Sequence, residues 1–354
     1  MRNNVVSISK GICIILMVYG HSGCSEVMHN FIYAFHMPLF FFLSGYCFKT
    51  KYTQEPFTFV KNKMIGIWWP YVKWVSIFVI LHNFFIKIGV FYEGFVFRNS
   101  TMNYYSIRDI FIHLVNTLRF CHGELLLAGF WFLFTLFMAS IMFIILIKYI
   151  HNNILIITFS FLAMITFNYF DYTLPLFHIG DKEFQALFFI SIGYAFKNVA
   201  IINRYFINLG NNFLYIICLF ISVFIGSQYY PSEMISLKFN TIIQYTIIAV
   251  IGSMFIYSFA SRIAKNKYCS KLLTFVGDNT LTILVWHFSM FKVVSLILIL
   301  LYGKDISELS CFPTISSLSL NGWNIVYTIF AVIGSLVINR IQINNIKQWN
   351  IFIR

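Results

Sequence analysis

Lys10, His21 and His36 fall within 27 residues of one another, in two stretches that otherwise belong in oil, "SISKGICIILMVYGHSG" and "FIYAFHMPLFFFLSGYCF". Ionisable groups inside membrane segments are costly, and they usually face a protein interior or a water-filled cavity. An imidazole titrates near neutrality and can take or return a proton. Lys10 and His21 are eleven residues apart. At 3.6 residues per turn that is close to three turns, so a helix puts both on one face, about 16 Å apart along its axis. One face then carries a cation at one mouth of the membrane and a base at the other. His36 enters with the next apolar run at a depth similar to His21, with Pro38 placed where its missing N–H costs least. Farther along, "FVGDNTLTILVWHFSMF" has Asp278 and Asn279 as helix-start residues. His287 follows about 12 Å into that helix. "GELLLAGFWFLFTLF" places Glu124 just ahead of a span and Trp131 near its outer interface. Each has a plainer reading. A lone membrane histidine is often a structural hydrogen-bonder, Lys10 can snorkel to inner headgroups, and tryptophans commonly form interfacial belts.

The elements that must position these groups are membrane helices. The 354 residues are 59% hydrophobic and 10% charged, with mean hydropathy +0.78. Soluble domains carry roughly 25% charged residues. A span needs about 20 mostly apolar residues, and ten candidates appear, at about 5–22, 30–48, 66–91, 128–148, 153–170, 184–199, 211–228, 240–261, 280–302 and 322–340. With the N-terminus inside, sixteen of the 25 Lys and Arg fall on inner segments and six on outer ones, and of the twelve acids only Glu55 and Asp278 lie inside. That satisfies the positive-inside rule. The reading is an all-α polytopic integral membrane protein of about ten transmembrane helices with both termini cytoplasmic, forming one membrane-embedded domain over 1–354. The long outer loop, 92–127, holds "IRDIFIHLVNTL", an amphipathic interfacial helix by pattern. Its Arg98, Arg108 and Arg119 would suit an anionic sugar or pyrophosphate, or are ordinary surface.

Several classes drop out. The net charge of +13 is a topology signal, with no basic tail or basic–aromatic interleaving, so no nucleic acid partner is expected. The seven cysteines form no C-x-x-C pair, so neither a metal site nor a disulfide framework is expected. The first apolar segment has no small-x-small cleavage site and reads as a retained helix.

The two opening stretches resemble those of acyltransferase family 3 membrane proteins, whose first helix carries a basic residue, ten intervening residues and a histidine. Their second helix carries an F-H-x-P-L-F-F-F-L-S-G string. "WWPYV", "FWFLFTLF" and "FVGDNTLTILVWHF" extend the resemblance in order. Lys10 stands where many members have arginine, and "K-G-I-x-I-I-L-x-V-x-G-H" looks more like the fucose-4-O-acetylase-like or exopolysaccharide O-acetyltransferase branch, without a fused extracytoplasmic domain. The resemblance implies transfer of an acyl group, acetyl above all, from cytoplasmic acetyl-CoA or another acyl-CoA. The donor is a substrate, and no permanently bound cofactor is implied. The acceptor would be a hydroxyl on a sugar of a cell-surface polysaccharide or its lipid-linked precursor. It also implies a bacterial cytoplasmic membrane, with membrane lipid and the polysaccharide-synthesis machinery as partners. On that basis His21 is the base or a transient acyl carrier, and His36 orients it, supplies a second proton site or holds the acceptor. Lys10 meets a CoA phosphate or the thioester carbonyl, with Lys61 and Lys63 near the nucleotide. Trp131, Glu124, His287 and Asn279 are acceptor-side candidates.

Two rivals stand beside this. A glycan or lipid transporter or flippase shares the hydropathy, but no internal repeat is visible. A membrane scaffold keeping the fold without the chemistry would tolerate loss of His21 and His36.

Overall fold

The structure is a computed structural model, described here for residues 3–97, 100–175, 178–198 and 212–352, the last eleven by backbone alone. Arg98, placed above in the outer loop, lies outside the described residues. The chain is helical nearly throughout. Among the described residues nine helical stretches are long and apolar enough to cross a membrane. The sixth expected span is α9 (Asp181–Asn198), also 18 residues. It falls outside the nine because Asp181, Lys182, Glu183 and Lys197 charge its ends, yet it is buried without interruption from Glu183 to Ser191, on both faces.

The chain divides into two compact units. The first comprises Met1–Met17, Glu26–Pro70 and Trp131–Asp278. It contains most of α1 (Asn4–His21), then α2 (Glu26–Tyr33), α3 (His36–Tyr46) and α4 (Pro56–Lys63). Beyond these come α7 (Trp131–Tyr149), α8 (Asn153–Phe170), α9, α10 (Phe213–Tyr229), α11 (Ile242–Ile263) and α12 (Lys267–Asp278). Its core forms where α3, α7 and α8 close around α9, with Phe41, Phe143, Phe189 and Tyr245 fully enclosed. The aromatic run Leu39–Leu43 is packing: Leu39, Phe41, Phe42 and Leu43 are all buried. Two glycines make it possible. A Cβ on Gly45 would overlap the main-chain carbonyl of Ile190, and one on Gly193 would overlap that of Phe42. α3 and α9 therefore cross backbone to backbone, the small-residue packing that membrane helices use where no hydrophobic drive pulls them together. α9's one deeply placed acid is satisfied, since Glu183 accepts from Thr135 Oγ1 at 2.7 Å and from the Gly180 amide at 2.8 Å.

The second expected span, 30–48, is not one helix. The chain breaks between α2 and α3, where Phe35 leaves helical geometry (φ −143°, ψ −17°) and His36 begins the new helix. Pro38 then lies in the first turn of α3, where no intrahelical bond needs its N–H. The third span starts earlier than hydropathy alone indicates, running from Pro56 to Lys87. It passes through a π-helical turn at Met64–Trp68 that joins α4 to α5 (Trp69–Lys87).

The second unit comprises Val18–Ser25, Tyr71–Phe130 and Asn279–Arg354. α13 (Thr280–Tyr302) packs along α14 (Asn324–Phe352) and against the turn Leu125–Phe130. The outer loop holds a small antiparallel hairpin, β1 (Phe95–Phe97) with β2 (Ser100–Met102), and then α6 (Ile107–Leu118). α6 is the amphipathic helix its pattern predicts, exposing Ile107, Phe111, Ile112 and Val115. It opens with a reciprocal cap between Ser106 and Asp109. The Ser106 hydroxyl and amide hold the Asp109 carboxyl below its ordinary range. Arg108 and Arg119 are exposed.

Candidate functional site

Chemistry-bearing side chains gather within each unit. In the second, His21 ends α1, and its ring lies over His287 of α13 with centroids 5.8 Å apart and planes 29° from parallel. Phe288 touches both rings, at 5.2 Å from His21 and 4.0 Å from His287. His21 is half-buried, whereas His287 is wholly enclosed. The tautomer of His287 follows from its partners. Nδ1 lies 3.1 Å from the Ile283 carbonyl and 3.0 Å from that of Leu284. Carbonyls only accept, so Nδ1 carries the proton and Nε2 keeps its lone pair. That Nε2 is buried without a hydrogen-bond partner. Two further unmatched polar atoms, Trp286 Nε1 and Ser289 Oγ, lie on the same turn of α13. Buried polar groups are nearly always paired, so each unpaired one calls for an explanation. A Cβ on Gly129 would stand 2.9 Å from Leu284 Cδ1, so this glycine lets the turn Leu125–Phe130 close against α13.

Farther along the helix, Lys292 is 95% buried and meets no carboxylate among the described residues. Its Nζ donates to the carbonyls of Leu309 and Cys311, each at 2.8 Å, and faces the rings of Phe91 and Phe312 at 4.9 and 5.7 Å. An ammonium in oil needs such a cage of dipoles and ring faces. Phe312, fixed in this way, stacks on Phe288 at 4.9 Å and so backs the histidine pair.

Glu124 belongs to a third cluster of the same unit. It is buried, accepting from His82 Nδ1 at 2.8 Å and His122 Nε2 at 3.0 Å, with the Tyr105 hydroxyl at 3.4 Å. His82 also donates through Nε2 to the Asn103 carbonyl and stacks on Tyr105 at 3.6 Å. Burial pushes the Glu124 carboxyl up, but the two imidazoles outweigh it and hold the group below its ordinary value. Burial, then the neighbouring charge of His122, lowers His113, whose ring stacks on His122. This cluster fastens the outer loop to α5. Asn279 accepts from Asn339 Nδ2 at 2.6 Å. It stands at the head of α13 but makes no side-chain cap there, so the helix-start reading holds for its position and not for its bond.

In the first unit, Lys10 and Lys63 lie within Coulombic range of each other, and Lys63 reaches Ser44 Oγ at 3.5 Å. Neither lysine has an ionic partner among the described residues. Two neighbouring cations without a carboxylate form a seat for an anion. Lys61 is exposed on α4. His36 is buried, its Nδ1 donating to the Ile32 carbonyl at 2.9 Å, and its own carbonyl accepts from Cys13 Sγ. Trp131 packs at the edge of the hydrophobic core. The structure thus brings His21 together with His287, and Lys10 with Lys63. It gives Glu124, Asn279 and Trp131 local structural partners. Sequence reading missed Lys292, His82, His122 and Ser44. The only early signal was that Lys292 and His82 are polar residues inside apolar spans.

A multi-pass helical membrane protein with a half-enclosed imidazole pair and a cation pair on its first helices has the parts of an acyl-transfer enzyme. Residues 5–340 match the family described as an acyltransferase domain, and the chain belongs to it, acyltransferase family 3. It is a membrane acyltransferase. No curated protein and no solved structure matches the chain.

Proposed function

We propose that the protein moves an acetyl group from cytoplasmic acetyl-CoA to a sugar hydroxyl of a cell-surface polysaccharide, or of its lipid-linked precursor, in a bacterial cytoplasmic membrane. The observation that carries this is the His21–His287 pair with its unsatisfied Nε2. Acyl transfer to an alcohol needs a base held in a water-poor site, and His21 is that base. As the sugar oxygen bonds the acyl carbon, its proton passes to the imidazole and the carbon–sulfur bond breaks. The imidazole then returns the proton to the departing thiolate. His287 Nε2 accepts a hydrogen bond from a neighbouring hydroxyl of the same sugar, so that the reacting hydroxyl, whose single proton goes to His21, is held in place. At the other end of the same helix face, Lys10 with Lys63 seats an anionic part of CoA, and Lys61 lies near on the exposed side of α4. His36 supports the acceptor. The rival transporter reading needs neither an acyl donor nor an unpaired base.

The test is turnover of radiolabelled acetyl-CoA by the purified protein in nanodiscs, wild type against His21→Ala. Label release that disappears with His21, in protein that elutes and melts as folded, supports the reading. Wild-type release from the variant overturns it.

A further inference from the structure

A second feature of the first unit has no role in that account. A cavity of about 460 Å³ opens between the start of α2 and the connection from α10 to α11. Its size is within the range of small-ligand sites. The distribution of Lys and Arg puts both segments on the outer side. One wall is a ring platform: His29 and Tyr33, one turn apart on α2, stack at 3.8 Å with planes 19° apart. Tyr229, at the end of α10 and 78% exposed, offers a second ring. Between them stand Asn30, Ser232, Glu233 and Lys238. Gln228 Nε2 ties the two segments together through the Val27 carbonyl at 3.1 Å.

The lining excludes several ligands. A nucleotide or pyrophosphate would want several cations; here Lys238 is the one basic side chain, and Glu233 lines the same cavity. A lipid tail would want an apolar wall, and most of this lining is hydroxyl, amide, carboxylate and imidazole. What remains is a ligand with an apolar face for the rings and hydroxyls around its edge. One group is already waiting for it, because Ser232 Oγ is buried with no hydrogen-bond partner. An unmatched buried hydroxyl costs about 1–3 kcal/mol until a partner arrives.

We propose that this cavity binds a neutral pyranose unit of the acceptor glycan, with Tyr229 and the His29–Tyr33 platform against the ring face and Asn30, Ser232 and Glu233 on the hydroxyls. The proposal rests on the acyltransferase reading for the word acceptor, and on the cavity alone for the word pyranose. The ring of Tyr33 also meets that of His36 edge-on at 4.8 Å. His36 thereby supports the acceptor through Tyr33, one residue behind the cavity wall.

The experiment is saturation-transfer NMR on the full chain in nanodiscs. The probes are the methyl pyranosides of glucose, galactose, mannose, fucose and N-acetylglucosamine, with methyl glucuronide and glucose 1-phosphate as charged comparators. Binding of at least one neutral glycoside, weakened about tenfold by Tyr229→Ala and by Ser232→Ala, is the expected result. Tyr229 is exposed, so its loss leaves the fold standing, and Ser232→Ala is a second, milder change. Three outcomes overturn the site: no neutral glycoside bound by folded wild type, binding unchanged in both variants, or preference for a charged comparator. Acetyl-CoA hydrolysis by wild type and by His21→Ala is read on the same preparations. Sugar binding without His21-dependent hydrolysis sinks the enzyme reading and leaves the sugar site. Hydrolysis without sugar binding does the reverse.

Discussion

Replacing His287 by leucine should stabilise the protein and cripple it at once. His287 is enclosed completely, and its Nε2 has no partner, a state that costs the fold about 1–3 kcal/mol. Leucine is of similar volume, removes the stranded lone pair, and is a better helix former. The carbonyls of Ile283 and Leu284 lose the Nδ1 proton but stay within the helix of α13. The net gain expected is about 1 kcal/mol, seen as a rise of about 2–4 °C in apparent melting temperature. The catalytic loss runs the other way. A hydrogen bond that positions the acceptor is worth about 1–3 kcal/mol, so turnover should fall roughly 5- to 150-fold. The assay is His21-dependent acetyl-CoA turnover in nanodiscs beside a tryptophan-fluorescence melt of the same sample. A structural histidine would show the opposite signature, lower melting temperature with turnover reduced only in step with the folded fraction. That result, or a stable variant with wild-type turnover, refutes the role given to Nε2.

Three other outcomes follow from the packing and the loop chemistry. Gly193→Val pushes side-chain carbon into the Phe42 main-chain carbonyl, which cannot swing aside, so destabilisation of about 3 kcal/mol or more and a collapse of the monodisperse peak in size-exclusion chromatography are expected; a wild-type melt would remove the close crossing of α3 and α9. Lys292→Met strands the Leu309 and Cys311 carbonyls and frees Phe312 from its cation, so turnover should fall about tenfold or more, with Lys292→Arg recovering part of it and KM for acetyl-CoA unchanged; equal loss in both variants, tracking stability, would make the lysine structural only. Acid should loosen the outer loop in two stages, read by deuterium uptake over residues 103–124. His113 has a folded value lowered from 6.5, so the opened loop takes up a proton the closed one resists, and protection falls as pH drops through 6.5. Glu124 has a folded value lowered from 4.5, so its contribution is full above that pH and is lost as pH falls further. Uptake independent of pH between 7.5 and 4 would show that the Glu124 cluster does not fasten the loop.

The helices were legible where one physical signal dominated. The fifth and ninth spans, 153–170 and 280–302, begin and end where hydropathy places them, because apolar runs, carrying no charge but Lys292, are bounded there by Asn152 and Gly303, a side-chain cap and a left-handed stop. The second span misled because a broken helix and a straight one have the same composition, and Phe35 is as apolar as its neighbours. The third was read short because Lys61 and Lys63 depress local hydropathy even though α4 runs on into α5. The imidazoles at 21, 36 and 287 stood out as polar groups in oil, which is a local property. Their pairing did not, since His21 and His287 are 266 residues apart. Lys292 was opaque for the same reason: its partners are main-chain carbonyls, which every residue possesses and no sequence pattern flags. The acceptor cavity was less visible still, because Tyr229, Ser232 and Lys238 look like any outer loop until α2 is brought against them.

The contrast between Lys292 and His287 is the strongest argument that the candidate site is functional. Both are buried on α13, between one and two turns apart, in a setting where an unpaired polar group is costly. The fold goes to some length over Lys292, supplying two carbonyls and two aromatic faces. Glu183 and Glu124 are treated the same way, with every carboxylate oxygen bonded. A chain that satisfies a buried ammonium and two buried carboxylates so fully had the means to satisfy a neutral imidazole. It fixes Nδ1 with two carbonyls, which orients the ring, and leaves Nε2 without a partner on a ring that lies against His21. A ring held this firmly on one side and left unbonded on the other is what a histidine kept for binding a hydroxyl requires.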